Sequence, residues 1–161
     1  MRILAQRLNY LAETTTLLHP SQLGGRKKKS ATDAALLLAN EVELNRKLKR
    51  KTLVLLLDIK GAFDYMAKNQ LLAILQRLRL PYSLISWVTS FLSNRQLRLQ
   101  FDGNIEQFSR VDTGIPQGSP ISPILFLIYI RDLFPSLATR VFSYIDDIAL
   151  VASLISLKKN T

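Results

Sequence analysis

The sequence predicts an α+β domain built on antiparallel strands, and three observations carry that prediction. Residues 68–79 and 83–93 space their apolar side chains as one face of a helix. Asp102-Gly103 is a tight-turn dipeptide between an alternating stretch, Leu97, Leu99 and Phe101, and a returning stretch from Ile105 to Val111. Tyr144-Ile145-Asp146-Asp147 lies between the short apolar runs Val141-Phe142 and Ile148-Ala149-Leu150-Val151, which reads as strand, acidic turn, strand.

At 161 residues, with 48% hydrophobic content and mean hydropathy +0.12, the chain has the length of one domain and enough apolar side chains for a packed core. It contains no cysteine, so disulfides and thiolate metal sites are excluded. A single histidine, His19, excludes a histidine-based metal cluster. The longest apolar stretch, Ile121 to Ile130, is interrupted by Ser122 and Pro123 and stopped by Arg131-Asp132. That is well short of the about 20 residues a membrane helix needs, so no membrane partner is expected. No secretory signal pattern opens the chain. Lys and Arg number 22 against 12 Asp and Glu, and the net +10 favours an anionic partner. Residues 1–51 carry eleven basic and four acidic side chains, so most of the excess sits in the N-terminal third.

Taken in order, residues 2–13 have helical spacing and residues 14–29 form a loop holding His19-Pro20, Gly24-Gly25 and the basic run Arg26-Lys27-Lys28-Lys29. Ser30 and Asp33 make an S-x-x-D capping signature ahead of a helix to about Lys49. Thr52 to Leu57, ending at Asp58, is apolar without alternation, as expected of a strand covered on both faces. Its leucines leave a helix open, whereas its short length and the following Lys60-Gly61 favour a strand. The first amphipathic helix aligns Leu71, Leu72, Leu75 and Leu78, the second Leu84, Trp87, Val88 and Phe91, and Pro81 separates them. After the Asp102-Gly103 hairpin, the loop from Thr113 to Pro120 leads into a buried helix from about Ile121 to Phe134.

Asp146 and Asp147 are adjacent carboxylates at a tight bend, and their repulsion is relieved if a divalent cation lies there. Oxygen ligands point to magnesium or manganese rather than zinc. Asp58 closes its apolar run as the acidic pair closes its own, which makes it the third acid expected beside them.

Three segments carry a family resemblance. Leu57-Asp58-Ile59-Lys60-Gly61-Ala62-Phe63-Asp64, then Gly114-Ile115-Pro116-Gln117-Gly118-Ser119-Pro120-Ile121-Ser122-Pro123, then Tyr144-Ile145-Asp146-Asp147 resemble, in order, the central palm motifs of reverse transcriptases. The subgroup most similar is the non-LTR (LINE-like) retrotransposon enzymes. The stretch from Gln22 to Ala34 resembles the fingers segment that precedes the palm there. The resemblance implies a polymerase palm-type antiparallel sheet packed on helices, with a partial fingers segment over residues 1–51, a palm over 52–153 and a truncated tail over 154–161. A thumb is expected to be missing, which would leave this piece weak or inactive in synthesis by itself.

What the resemblance implies for chemistry is two-metal deoxynucleotidyl transfer to a primer 3′-hydroxyl, using two Mg2+ ions, with Mn2+ as a substitute. Asp58 and Asp146 would bind both ions, Asp147 would be a secondary ligand, and the Ile59 carbonyl would complete a coordination shell. The implied partners are an RNA template, a DNA primer and deoxynucleoside triphosphates, in an intracellular setting, nuclear or cytoplasmic. Phe63 falls at the aromatic wall beneath the incoming sugar, with a core phenylalanine as the alternative, and Asp64 is expected to make a structural hydrogen bond. Gln117 and Gly118 would line the nucleotide pocket, although the prolines and glycines around them also suit a plain turn. Arg26 suits bidentate phosphate binding, and Lys27, Lys28 and Lys29 suit phosphates of the triphosphate or template, with a solvated basic loop as the alternative. Asp33, Asp102 and Asp132 read as turn or cap residues, and Lys47, Lys49, Arg50 and Lys51 as positive charge at a helix end. Two other functions fit the same residues: a non-catalytic nucleic-acid-binding remnant and an intron-encoded maturase.

Overall fold

The computed structural model describes residues 1–134 and 139–155. Helix α1 spans Arg2–Thr14 and α2 spans Ala31–Lys47. The predicted capping box starts α2: the Ser30 hydroxyl accepts from the Asp33 amide at 3.2 Å, and the Asp33 carboxylate accepts from the Ser30 amide at 2.7 Å. Those bonds from Ser30 hold the Asp33 carboxyl below the usual carboxylate range. Arg46 and Lys47 occupy the last turn, where positive charge complements the helix dipole.

Strand β1 (Arg50–Asp58) is followed by α3 (Lys68–Arg77) and α4 (Tyr82–Phe91), separated by Pro81. A ribbon comes next, in which β2 (Arg95–Leu97) pairs with β5 (Ser109–Val111) and β3 (Gln100–Phe101) pairs with β4 (Asn104–Ile105). Asp102 and Gly103 both take positive φ, +47° and +78°, as a two-residue type I′ turn requires. Helix α5 (Ser122–Ile130) ends in a 3₁₀ turn over Arg131–Leu133, where Arg77 of α3 pairs with Asp132. The acidic hairpin then forms from β6 (Arg140–Tyr144) and β7 (Asp147–Ile155). The tail assigned to residues 154–161 lies mostly outside the described residues.

The principal sheet has the order β1-β7-β6, antiparallel throughout. Helix α2 lies against β1 and β6, and α5 runs through the interior with Ile124, Leu125, Phe126, Leu127 and Ile128 all buried. A helix apolar on every side can only sit in the interior. Leu8 of α1, Leu71 and Leu75 of α3, Val88 of α4, and Val141 and Ile148 of the sheet join it in one core. Each such side chain contributes about 1.5–3 kcal/mol by leaving water.

Strand β1 departs from its expected environment. It is a strand, as its length suggested, but it is not covered on both faces: Leu53 is 64% and Leu56 is 70% exposed. The reason is what lies on its faces. The helix against β1 is α2, which buries only Asn45 and leaves a groove open between Ala34, Ala35, Leu38, Leu56 and Leu57, whereas the core side chains of the sheet come from β6 and β7.

Candidate active site at the acidic hairpin

The β1–β7 ladder ends with Asp58 directly opposite Asp147, and β6 pairs Tyr144 with the same Asp147. Ile145 and Asp146 form the two-residue turn between the strands. Ile145 has φ +58°, whereas Asp146 is not left-handed, the pattern of a type II′ turn. A β-branched residue in that region stores roughly 1–3 kcal/mol of strain, so the surroundings must hold it there.

Among the described residues, no side chain hydrogen-bonds or ion-pairs with Asp58, Asp146 or Asp147. Nor does any group of three or more His, Cys, Asp or Glu among them stand close enough together to hold a metal. The register brings Asp58 and Asp147 together, while Asp146, as a turn residue, lies outside the alternation of the ladder. Asp58 and Asp147, facing each other across the ladder, are oxygen donors of the kind a hard cation takes, but among the described residues they do not form a three-carboxylate cluster with Asp146.

The turn is braced from outside the sheet. Residues 21–24 lie along the free edge of β6: the Ser143 amide donates to the Ser21 carbonyl at 2.9 Å, and the Leu23 amide donates to the Ser143 carbonyl at 2.9 Å. Gln22 is fully buried, donating through Nε2 to the Leu127 carbonyl and accepting through Oε1 from the His19 amide, both at 2.8 Å. Sequence reasoning missed Gln22 and Gly24 as supports, because contacts between distant loops leave no periodicity.

The segments around Phe63 and Gln117 are joined by backbone. The Ile115 amide donates to the Phe63 carbonyl at 2.8 Å, and the Gly114 amide donates to the Met66 carbonyl at 2.9 Å. Gln117 Nε2 donates to Asp64 Oδ1 at 3.1 Å, so Asp64 has the structural hydrogen bond expected of it. The half-buried Phe63 ring stacks on core Phe126, with centroids 5.1 Å apart. Gly118 has φ +81° and open space where a β-carbon would project.

Arg26 is engaged within the chain. Its Nε and Nη2 donate to the two oxygens of Glu13 at 3.2 and 3.0 Å, and the Lys27 amide adds a third bond to that carboxylate at 3.2 Å. Glu13, a residue the sequence did not flag, is held below the usual carboxylate range by the Arg26 guanidinium. Lys27, Lys28 and Lys29 are exposed.

The chain matches the family model described as reverse transcriptase (RNA-dependent DNA polymerase) over residues 1–157. It belongs to the reverse transcriptase family. Among curated reverse transcriptase relatives, a Pol polyprotein of type-1 retrotransposable element R2 from Popillia japonica is 30% identical over 84% of this chain and 19% of the relative. An RNA-directed DNA polymerase from mobile element jockey of Drosophila melanogaster is 27% identical over 82% of this chain and 14% of the relative. The chain thus spans less than a fifth of the length of these relatives. The fold is shared with solved telomerases: an apo telomerase from Candida tropicalis has TM-score 0.65 at 16% identity, covering 98% of this chain and 30% of the other. A Candida albicans telomerase in complex with a fragment of telomeric RNA has TM-score 0.64 at 17% identity, covering 94% of this chain and 30% of the other. The likeness is one of fold, helices packed with an antiparallel sheet in a palm-type arrangement.

Proposed function

We propose that this chain is the palm core, with part of the fingers, of an RNA-directed DNA polymerase that extends a DNA primer on an RNA template. The observation that carries the reading is the pairing of Asp58 with Asp147 across the ladder, beside the turn that holds Asp146. Asp58, Asp146 and Asp147 would hold magnesium, with the Ile59 carbonyl as a further ligand. Bound there, the cations would supply charge stabilisation to the attacking and leaving oxygens of phosphoryl transfer. The chain's own residues bind and orient. Gln117, tied to Asp64, and Gly118, with no side chain to obstruct approach, would shape the nucleotide pocket. Phe63, backed by Phe126, would form the wall against a 2′-hydroxyl. Lys27, Lys28 and Lys29 would receive phosphates, and Arg26 would join them on exchanging Glu13 for a phosphate.

The deciding experiment is magnesium-dependent extension of a DNA primer on an RNA template, by this chain and by a version extended at its C-terminus to include a thumb. Extension that vanishes in Asp146→Asn while nucleic-acid binding persists supports the polymerase. Phe63→Val in the active form should admit ribonucleotides; unchanged sugar discrimination would remove Phe63 from the pocket. The three exposed lysines favour one second reading, a non-catalytic nucleic-acid-binding remnant. That reading predicts salt-sensitive binding with no extension in either form.

A further inference from the structure

We infer that Gly24 is a positioning residue for the acidic turn: it sets where the turn backbone sits and, through it, where Asp146 and Asp147 present their carboxylates. The inference rests on the reading of that turn as a metal site. Gly24 is buried, and its amide approaches the Ser143 carbonyl at 3.4 Å, so the loop backbone lies against the hairpin. A β-carbon on Gly24 would come within 2.7 Å of Ile145 Cγ1 and 2.8 Å of the Tyr144 carbonyl carbon, and closer still to the Ile145 amide nitrogen. Two of those three atoms are backbone of the turn, which cannot swing aside as a side-chain tip can.

The glycine is required for contact, not for conformation. Gly24 does not have positive φ, so alanine fits its backbone without strain, and the whole effect of Gly24→Ala falls on the turn. Its neighbour is the opposite case. Gly25 has φ +71°, and its β-carbon would meet only the Leu127 side chain on α5, 2.9 Å from its movable Cδ1 end. Gly25→Ala therefore strains the same loop without pressing on the hairpin.

The loop resists displacement, so the turn must yield. Gln22 ties it to α5 through the Leu127 carbonyl, and three backbone bonds, from the Leu23 and Gly24 amides and to the Ser21 carbonyl, tie it to Ser143. Ile145 already sits at φ +58°, and a push on its amide shifts the residue that precedes both carboxylates. The contact thus works as an outer support that orients metal ligands through their backbone.

The test is Mn2+ affinity, read from water proton relaxation on the folded chain, with thermal unfolding measured in parallel. Gly24→Ala should weaken Mn2+ binding by roughly 10-fold or more, the usual effect of losing an outer support. Gly25→Ala, although it too lowers the unfolding temperature, should leave Mn2+ affinity unchanged. Should Gly24→Ala fail to fold, Gln22→Met loosens the same loop from its far side, and it should weaken Mn2+ binding in the same direction. Equal loss in Gly24→Ala and Gly25→Ala, or none in Gly24→Ala and Gln22→Met, would overturn the inference. Wild-type affinity in Asp58→Asn and Asp146→Asn would instead overturn the metal reading beneath it, so the two failures are distinguishable.

Discussion

Asp58 and Asp147 face each other directly across the end of the β1–β7 ladder, and neither forms an ion pair among the described residues. Like charges in that relation oppose folding, so the site is held at the expense of stability. Asp147→Asn should therefore raise the unfolding temperature in EDTA by roughly 1–3 °C. Added magnesium should raise the wild-type midpoint more than that of the variant, because a ligand bound only to the folded state stabilises it. A midpoint in EDTA that falls in Asp147→Asn would show that the pair is not repulsive.

Two glycines of the Gln117 loop separate strain from collision. Gly118 has φ +81° but open space around its β-carbon position, so Gly118→Ala should cost only the strain, about 1–2 kcal/mol. Gly114 has φ +72°, and its β-carbon would lie 2.6 Å from the carbonyl oxygens of both Phe63 and Asp64. Gly114→Ala should therefore cost clearly more, and it should part the two segments joined by the Ile115–Phe63 bond. Urea unfolding of the two variants ranks them, and equal losses would contradict the collision.

The elements were legible wherever a local signal existed. The Ser30/Asp33 cap, the Asp102-Gly103 turn and the uniformly apolar α5 each follow from neighbouring residues, and each is found as expected. The surroundings of β1 were not legible, because a leucine run specifies a strand but not what covers its faces, and here α2 covers them only loosely. Around the site, strand ends indicated that Asp58 would lie near the acidic bend, and the ladder sets it opposite Asp147. The expected gathering of all three acids into one cluster is not found among the described residues, because Asp146 sits in the turn outside the ladder. The pairing of Arg26 with Glu13 was hidden for a different reason. It joins a loop to α1 across thirteen residues, and neither residue type signals such a partner.

That pairing makes an electrostatic prediction. Glu13 occupies the Arg26 fork, so Glu13→Gln should release a cation toward a polyanion. The dependence of log affinity on log salt for a single-stranded RNA should steepen by about 0.7, the value of one added phosphate contact. Replacing Lys27, Lys28 or Lys29 by alanine should flatten it by about the same amount for each lysine that touches a phosphate. Unchanged slopes in all four variants would move the nucleic-acid contact away from this loop.

His19 gives the support of the acidic turn a dependence on pH. Its Nδ1 accepts from the Ser21 amide at 3.2 Å, and its ring stacks on Phe134 with centroids 5.4 Å apart, so the neutral imidazole is the form that fits. Burial, aided by the charge of Arg131, holds its pKa below the ordinary 6.5. As pH falls past 6.5 the unfolded chain takes up the proton first. Stability is then full above that value and declines as pH falls through the folded-state pKa. His19 is the only histidine, so its ring proton resonances report that pKa without overlap. In urea unfolding at about pH 7.5 and about pH 5.5, the wild-type midpoint should drop, and His19→Phe, which retains the stack but cannot be protonated, should lose most of that drop. Because Ser21 begins the segment that docks on β6, protection of the Ser143 amide from exchange should fall over the same pH range in the wild type. Loss of protection that ignores His19→Phe would place the pH sensitivity elsewhere.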